Sequence, residues 1–159
     1  MAYDGRVGRR RDHMARRTKQ EIAEEKALIA RIEEAIEKSP AAVARALEIV
    51  YQGQTATEKA AKVTIEENGI GFTGVDANRG TWLVEVVIAE GREKGRPEGE
   101  LLRGKALEWG RQIASKYART QLLAAARRRE EAAEEARCAL EDEMEADRYA
   151  GQPDVPHAA

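Results

Sequence analysis

The sequence predicts an all-α fold, on three observations. Charged residues make up 35% of the 159 and aromatics only 4%, with heavy use of Ala, Glu, Arg and Lys, a composition of long exposed helices. Apolar residues recur at steps of three and four over most of the chain, the period of a helix with one buried face. No credible alternation of strand and helix runs through it. Four to five helices are therefore expected, with a long one towards each end of a small helical domain. The chain divides into a basic arm (1–19), the helical domain (20–123), a charged helical extension (124–149) and a disordered tail (150–159).

Each element has a local reason. From about Arg9 to Lys38 there is no Gly or Pro, and Ile22, Ile29, Ile32 and Ile36, with Leu28 beside them, mark one apolar face. Ser39-Pro40 ends that helix and starts the next, with Ser as N-cap and Pro at the first helical position. Val43, Ala46, Leu47 and Val50 form its stripe, and Gly53 closes it. Thr55 and Glu58 have the spacing of a capping box, so a short helix is expected to run to about Glu67 and stop at Asn68-Gly69. Gly71 and Gly74 loosen the connection, Phe72 can plug the core, and Asp76 is placed to cap the next helix.

The segment 80–90 holds Trp82, Val84, Val86 and Val87, which favour strands. Leu83, Val84, Val87 and Ile88 also fit a helical stripe, and a lone strand would have no partner, so helix is expected. "GREKGRPEGE" reads as a basic, flexible connection. From about Glu98 to Tyr149 the chain is again free of Pro, with Leu102, Ala106, Trp109, Ile113 and Tyr117 on one face. That stripe fades after Leu123 into blocks of Arg and Glu, the pattern of a solvated helix laced by i,i+4 pairs.

Several function classes are disfavoured. "GIGFTG" (Gly69, Gly71, Gly74) has the spacing of a dinucleotide-binding loop but follows a helix where that loop needs a strand, so it reads as a turn. Cys138 is the only cysteine and lies in an acidic helix; His13 and His157 lie near the chain ends. No disulfide, metal site or cofactor is expected from that inventory. Ser39 and Ser115 sit in no nucleophile motif, and the Glu pairs read as solvated faces. A non-enzyme is expected. No apolar run approaches the ~20 residues of a membrane helix, and the basic N-terminus leads into Glu-rich helix, not into an apolar signal core. A cytoplasmic protein without a membrane partner is the expectation.

Charge carries the positive signal. Residues 1–20 hold seven Lys and Arg against Asp4 and Asp12, a balance of +5, whereas residues 130–159 balance at −8. Arg9, Arg10, Arg11, Arg16 and Arg17 of the arm suit a string of phosphates. In the last long helix Lys105, Gln112, Lys116 and Arg119 fall on one strip at ~100° per residue. That strip borders Trp109 and Tyr117, which suits a nucleic-acid backbone with stacked bases. Single- or double-stranded DNA is the expected partner ahead of RNA. Homo-oligomerisation through the helices is the competing expectation.

The stretches "YQGQTATEKAAKVTIEENGIGFTGVDA" and "GELLRGKALEWGRQIASKYARTQL" carry a pattern in Gln54, Thr55, Glu58, Asn68, Gly69, Gly71, Phe72, Asp76, Ala77, Lys116, Tyr117, Ala118, Gln121 and Leu122. Over about residues 51–123 the chain is similar to a small helical module of phage, plasmid and metagenomic proteins. That resemblance implies an accessory role in DNA handling.

Overall fold

The computed structural model of the chain describes residues 17–54 and 71–150, with side chains through Arg148. Among these residues there are five helices and no strand. Helix α1 spans Lys19–Lys38 and α2 Pro40–Gln52. Helix α3 covers 74–93 in three consecutive pieces: Gly74–Trp82, a π-helical stretch Leu83–Ile88, and Ala89–Glu93. A 3₁₀ turn at Glu98–Glu100 leads to α4, Gly104–Lys116, and then α5, Gln121–Ala150. The predicted fold class is the observed one.

Helix α2 is the centre. Val43, Ala44, Ala46, Leu47 and Val50 are all buried, and α2 packs against α1, α3, the 3₁₀ turn, α4 and α5. It starts as its sequence indicates: the Ser39 hydroxyl accepts from the Ala42 N–H at 3.2 Å, and Pro40 takes the first helical position. The core continues through Phe72, Leu83, Ile88, Leu101, Leu102, Ile113 and Tyr117. The helix expected over 80–90 is present. Four of the six residues of its π-helical stretch are β-branched, and Leu83, Val84 and Ile88 face the core.

Helix α1 begins with a device that the apolar pattern alone does not reveal. Thr18 accepts from the Glu21 N–H at 3.1 Å, and the Glu21 carboxylate accepts from the Thr18 N–H at 2.6 Å. This is a complete capping box, and T-x-x-E stands in the sequence at Thr18–Glu21. Thr18→Ala is expected to cost about 1 kcal/mol, read as a lowered midpoint of chemical unfolding. The α1 stripe is buried only in part: Leu28 and Ile36 are inside, but Ile22 is 40% exposed, because the first turns of α1 extend past the core.

Three other local expectations need correcting. Asp76 is not the cap of α3; Thr73 holds the N-cap position, and Asp76 sits buried in the first turn. The chain from Glu98 to Tyr149 is not one helix. Gly104 starts α4 at φ +54°, and a second break falls at 117–120, where Tyr117 adopts φ −101°, ψ 0°. The cause of that break is tertiary, as the site below makes plain. "GREKGRPEGE" is pinned, not loose: Arg92 bonds Glu98 through two N–H groups at 2.9 Å and also bonds Glu48 of α2. The guanidinium holds the Glu98 carboxyl below its usual range. The capping box expected at Thr55 and Glu58 and the stop at Asn68-Gly69 lie outside the described residues.

Beyond Ala126, α5 leaves the domain with every described side chain exposed. Its base is held to α1 by Arg127, which shares Glu25 with Arg17, and by Arg31 with Glu130. These exposed pairs set the direction of the extension more than they stabilise it.

Candidate nucleic-acid interface

The entry to α3 is locked to the junction of α4 and α5 by side chains from all three elements. Tyr117 turns inward from the end of α4. Its ring meets Phe72 edge-on at 6.0 Å between centroids. Its hydroxyl accepts from the Thr73 N–H at 2.9 Å and faces the Asp76 carboxylate at 3.2 Å. Lys116 donates to the other Asp76 oxygen at 2.7 Å. Gln121, four residues beyond Tyr117, holds the backbone of Gly71 from both sides, donating to its carbonyl at 2.7 Å and accepting from its N–H at 2.8 Å. Those tertiary bonds explain why the helix breaks at 117–120 with neither Gly nor Pro to mark it.

Gly71 must be glycine on two counts. Its φ is +84°, and an added Cβ would lie 2.5 Å from Cγ of Gln54. Gln54 is itself buried, accepting from the Thr81 hydroxyl at 3.3 Å. The described positions of the sequence pattern thus converge: Gln54, Gly71, Phe72, Asp76, Lys116, Tyr117 and Gln121 form the lock, with Ala77, Ala118 and Leu122 buried around it. Within these residues the pattern is a folding device.

Beside the lock lies an open groove of about 950 Å³, with Asp76, Arg79 and Trp82 from α3 facing Trp109, Gln112 and Lys116 from α4. The two indoles meet at 6.5 Å, inclined by 64°. The Arg79 guanidinium lies over Trp109, 4.5 Å from the ring centroid, within cation–π range. Among the described residues Arg79 has no carboxylate partner. Trp82 keeps 37% of its surface exposed, and Val75, at 88%, stands at the rim. Asp76 is satisfied internally by Lys116, Tyr117 and Thr73. Two cations therefore border the groove against one carboxylate already bonded within it.

The cations singled out in the sequence are scattered by the fold. Lys116 reaches the groove, as does Gln112. Lys105 pairs with Glu108 at 2.9 Å on the surface of α4, and Arg119 reaches Glu33 of α1 at 3.3 Å. Arg17 is joined to Glu25. Arg9, Arg10, Arg11 and Arg16 lie outside the described residues. The continuous basic strip of Lys105, Lys116 and Arg119 is therefore not what the surface presents. Tyr117, placed beside that strip in the sequence, is buried in the lock, not available for stacking. Arg79 and Trp82 were not singled out, although their i,i+3 spacing in "NRGTW" puts a cation and an indole on one helix face. Among the described residues no group of His, Cys, Asp or Glu converges as metal ligands would, and no helix is long and apolar enough to cross a membrane.

Two phenols of the domain, Tyr51 of α2 and Tyr117 of the lock, are late to ionise. Burial pushes Tyr51 up to about 12, helped by the hydrogen bond to Glu85 at 2.7 Å. Burial also raises Tyr117, with Asp76 adding to the rise and the bonds to Thr73 opposing it. A folded-state pKa above the unfolded value of ~10 gives stability that is whole below that pH. It is lost as pH climbs from about 10 through about 12. Spectrophotometric titration should show two of the four tyrosines ionising late, with unfolding over the same window. Tyr117→Phe should remove one of the two. Four tyrosines titrating together near ~10 would contradict these placements.

The fold and groove define a small all-α protein whose surface combines aromatic and cationic side chains. No protein family, curated protein or solved structure matches the chain.

Proposed function

We propose that this protein is a non-catalytic nucleic-acid-binding accessory protein. The observation that carries the reading is the groove between α3 and α4, where Arg79 and Lys116 flank Trp82 and Trp109. Aromatic faces with adjoining cations suit bases and phosphates together. The arm, with Arg9, Arg10, Arg11, Arg16 and Arg17, adds sequence-independent attraction to a polyanion. DNA is preferred to RNA, and a cytoplasmic setting accords with that partner. An electrophoretic titration against single-stranded DNA, double-stranded DNA and RNA at two salt concentrations tests the reading. Binding that falls steeply with salt is the expected result. No binding to any of the three at the lower salt would overturn it.

Residues 130–159, with a balance of −8, oppose binding. Their deletion is expected to strengthen the affinity for DNA, most at low salt where the screening length is greatest. Unchanged affinity at low salt would remove any inhibitory role for the acidic end.

The second reading is assembly through helices. It is favoured by Leu140 and Met144, 57% and 60% exposed and four residues apart on the free part of α5. Sedimentation equilibrium separates the two. A dimer that persists at high salt and loses stability in a Leu140→Glu variant would support assembly.

A further inference from the structure

Both tryptophans of the chain line the same groove, and their surroundings differ in a way that bears on which nucleic acid fits. One face of Trp109 is taken by the Arg79 guanidinium at 4.5 Å. Trp82 meets Trp109 by an inclined contact and keeps 37% of its surface open. The groove therefore offers two flat surfaces, the open part of Trp82 and the outer side of the Arg79 plane. Arginine stacks on π systems as indole does. Lys116 has three ammonium donors; one goes to Asp76, and the side chain remains 53% exposed. Gln112, on the same wall, brings an amide able to donate to and accept from a base edge.

In a duplex the base faces are covered by their neighbours, so a duplex can offer this groove only its phosphates. An unpaired strand can offer a base face and a phosphate within one nucleotide. We infer that the groove is a subsite for single-stranded nucleic acid, in which an unpaired base stacks on Trp82 and Arg79 while Lys116 receives the adjoining phosphate. The inference rests on the nucleic-acid reading above and narrows it. The arm attracts any polyanion, and the groove selects strands with free bases. The choice of a nucleic acid over an acidic peptide follows from the pairing of flat surfaces with cations: carboxylates would use the charges and leave the stacking planes idle.

Because the tryptophans are both in the groove, intrinsic fluorescence reports on it directly. The full chain is titrated with a short oligothymidylate, an abasic strand of equal length, a linear duplex without loops or overhangs and polyglutamate. Oligothymidylate should quench the emission, and the other three should leave it nearly unchanged even where they bind. Trp82→Leu and Arg79→Gln, each first checked for native helix content, should each weaken oligothymidylate binding by roughly five- to a hundredfold, the range of one lost stacking contact. Abasic-strand binding should stay within about twofold in Trp82→Leu, because no base contact is lost.

Equal quenching by the duplex or the abasic strand would overturn the inference in favour of a phosphate site. Quenching by polyglutamate would overturn it in favour of an acidic peptide. Unquenched oligothymidylate that nevertheless binds in a salt-sensitive way would sink the groove and leave the arm-based reading standing. Absence of all binding would end both.

Discussion

Phe72→Ala is expected to destabilise the fold by about 3–5 kcal/mol, as truncation of a buried aromatic does. Phe72 is the chain's only phenylalanine and is 1% exposed. Its ring lies edge-on to Tyr117 on one side. On another it lies so close to α3 that a Cβ built on Gly80 would come within 2.7 Å of it. Part of the cavity wall is thus helix backbone, which relaxes poorly into the vacated space and places the cost in the upper part of that range. Domains of this size are stable by only about 5–15 kcal/mol, so the variant should be near the edge of folding. Denaturant unfolding followed by circular dichroism measures the loss. An unchanged midpoint would mean that the ring does not fill the core, and that the lock around Tyr117 and Gln121 holds without it.

Replacing Arg9, Arg10 and Arg11 together by Ala should have the largest effect on binding. Each phosphate contact contributes ~0.7–0.9 to the slope of log affinity against log salt, so the slope should fall by roughly 2–3 units. Affinity should drop for all base sequences alike, because phosphate contacts carry no sequence information. Stability should be unchanged: α1 begins at Lys19 behind its own capping box, and the three arginines precede both. A loss of stability in this variant would mean that the arm is part of the folded domain.

Legibility in the sequence followed how local each cause was. Ser39-Pro40 could be read because the cap and the first helical residue are neighbours in the chain, and Thr18–Glu21 was equally readable. The stripe Val43, Leu47, Val50 marked the central helix because most of that helix is at least partly buried, with only Arg45 and Gln52 exposed. The break at Tyr117 could not be read. Nothing at 117–120 disfavours helix by itself; the chain turns there because Tyr117 and Gln121 find partners at Thr73, Asp76 and Gly71, more than forty residues away in sequence.

The same distinction divides the site. Lys116 was visible as a charge beside an apolar stripe, but its bond to a buried Asp76 depends on how α3 crosses α4. Lys105 and Arg119 share its helical face in projection, yet Arg119 falls beyond the end of α4 and is drawn to Glu33 of α1. Arg79 and Trp82 gain their meaning only opposite Trp109, from another helix. Helix periodicity fixes which residues share a face of one element. It does not say which two faces will meet.

The decisive measurement is the affinity of the full chain for a labelled oligothymidylate, followed from low to high salt. The arm arginines together with Lys116 predict a log–log slope of roughly −3 to −4, at ~0.7 per phosphate for a single strand. Affinity that does not change with salt, or no binding at low salt, would contradict the nucleic-acid proposal and leave assembly through the helices as the reading in its place.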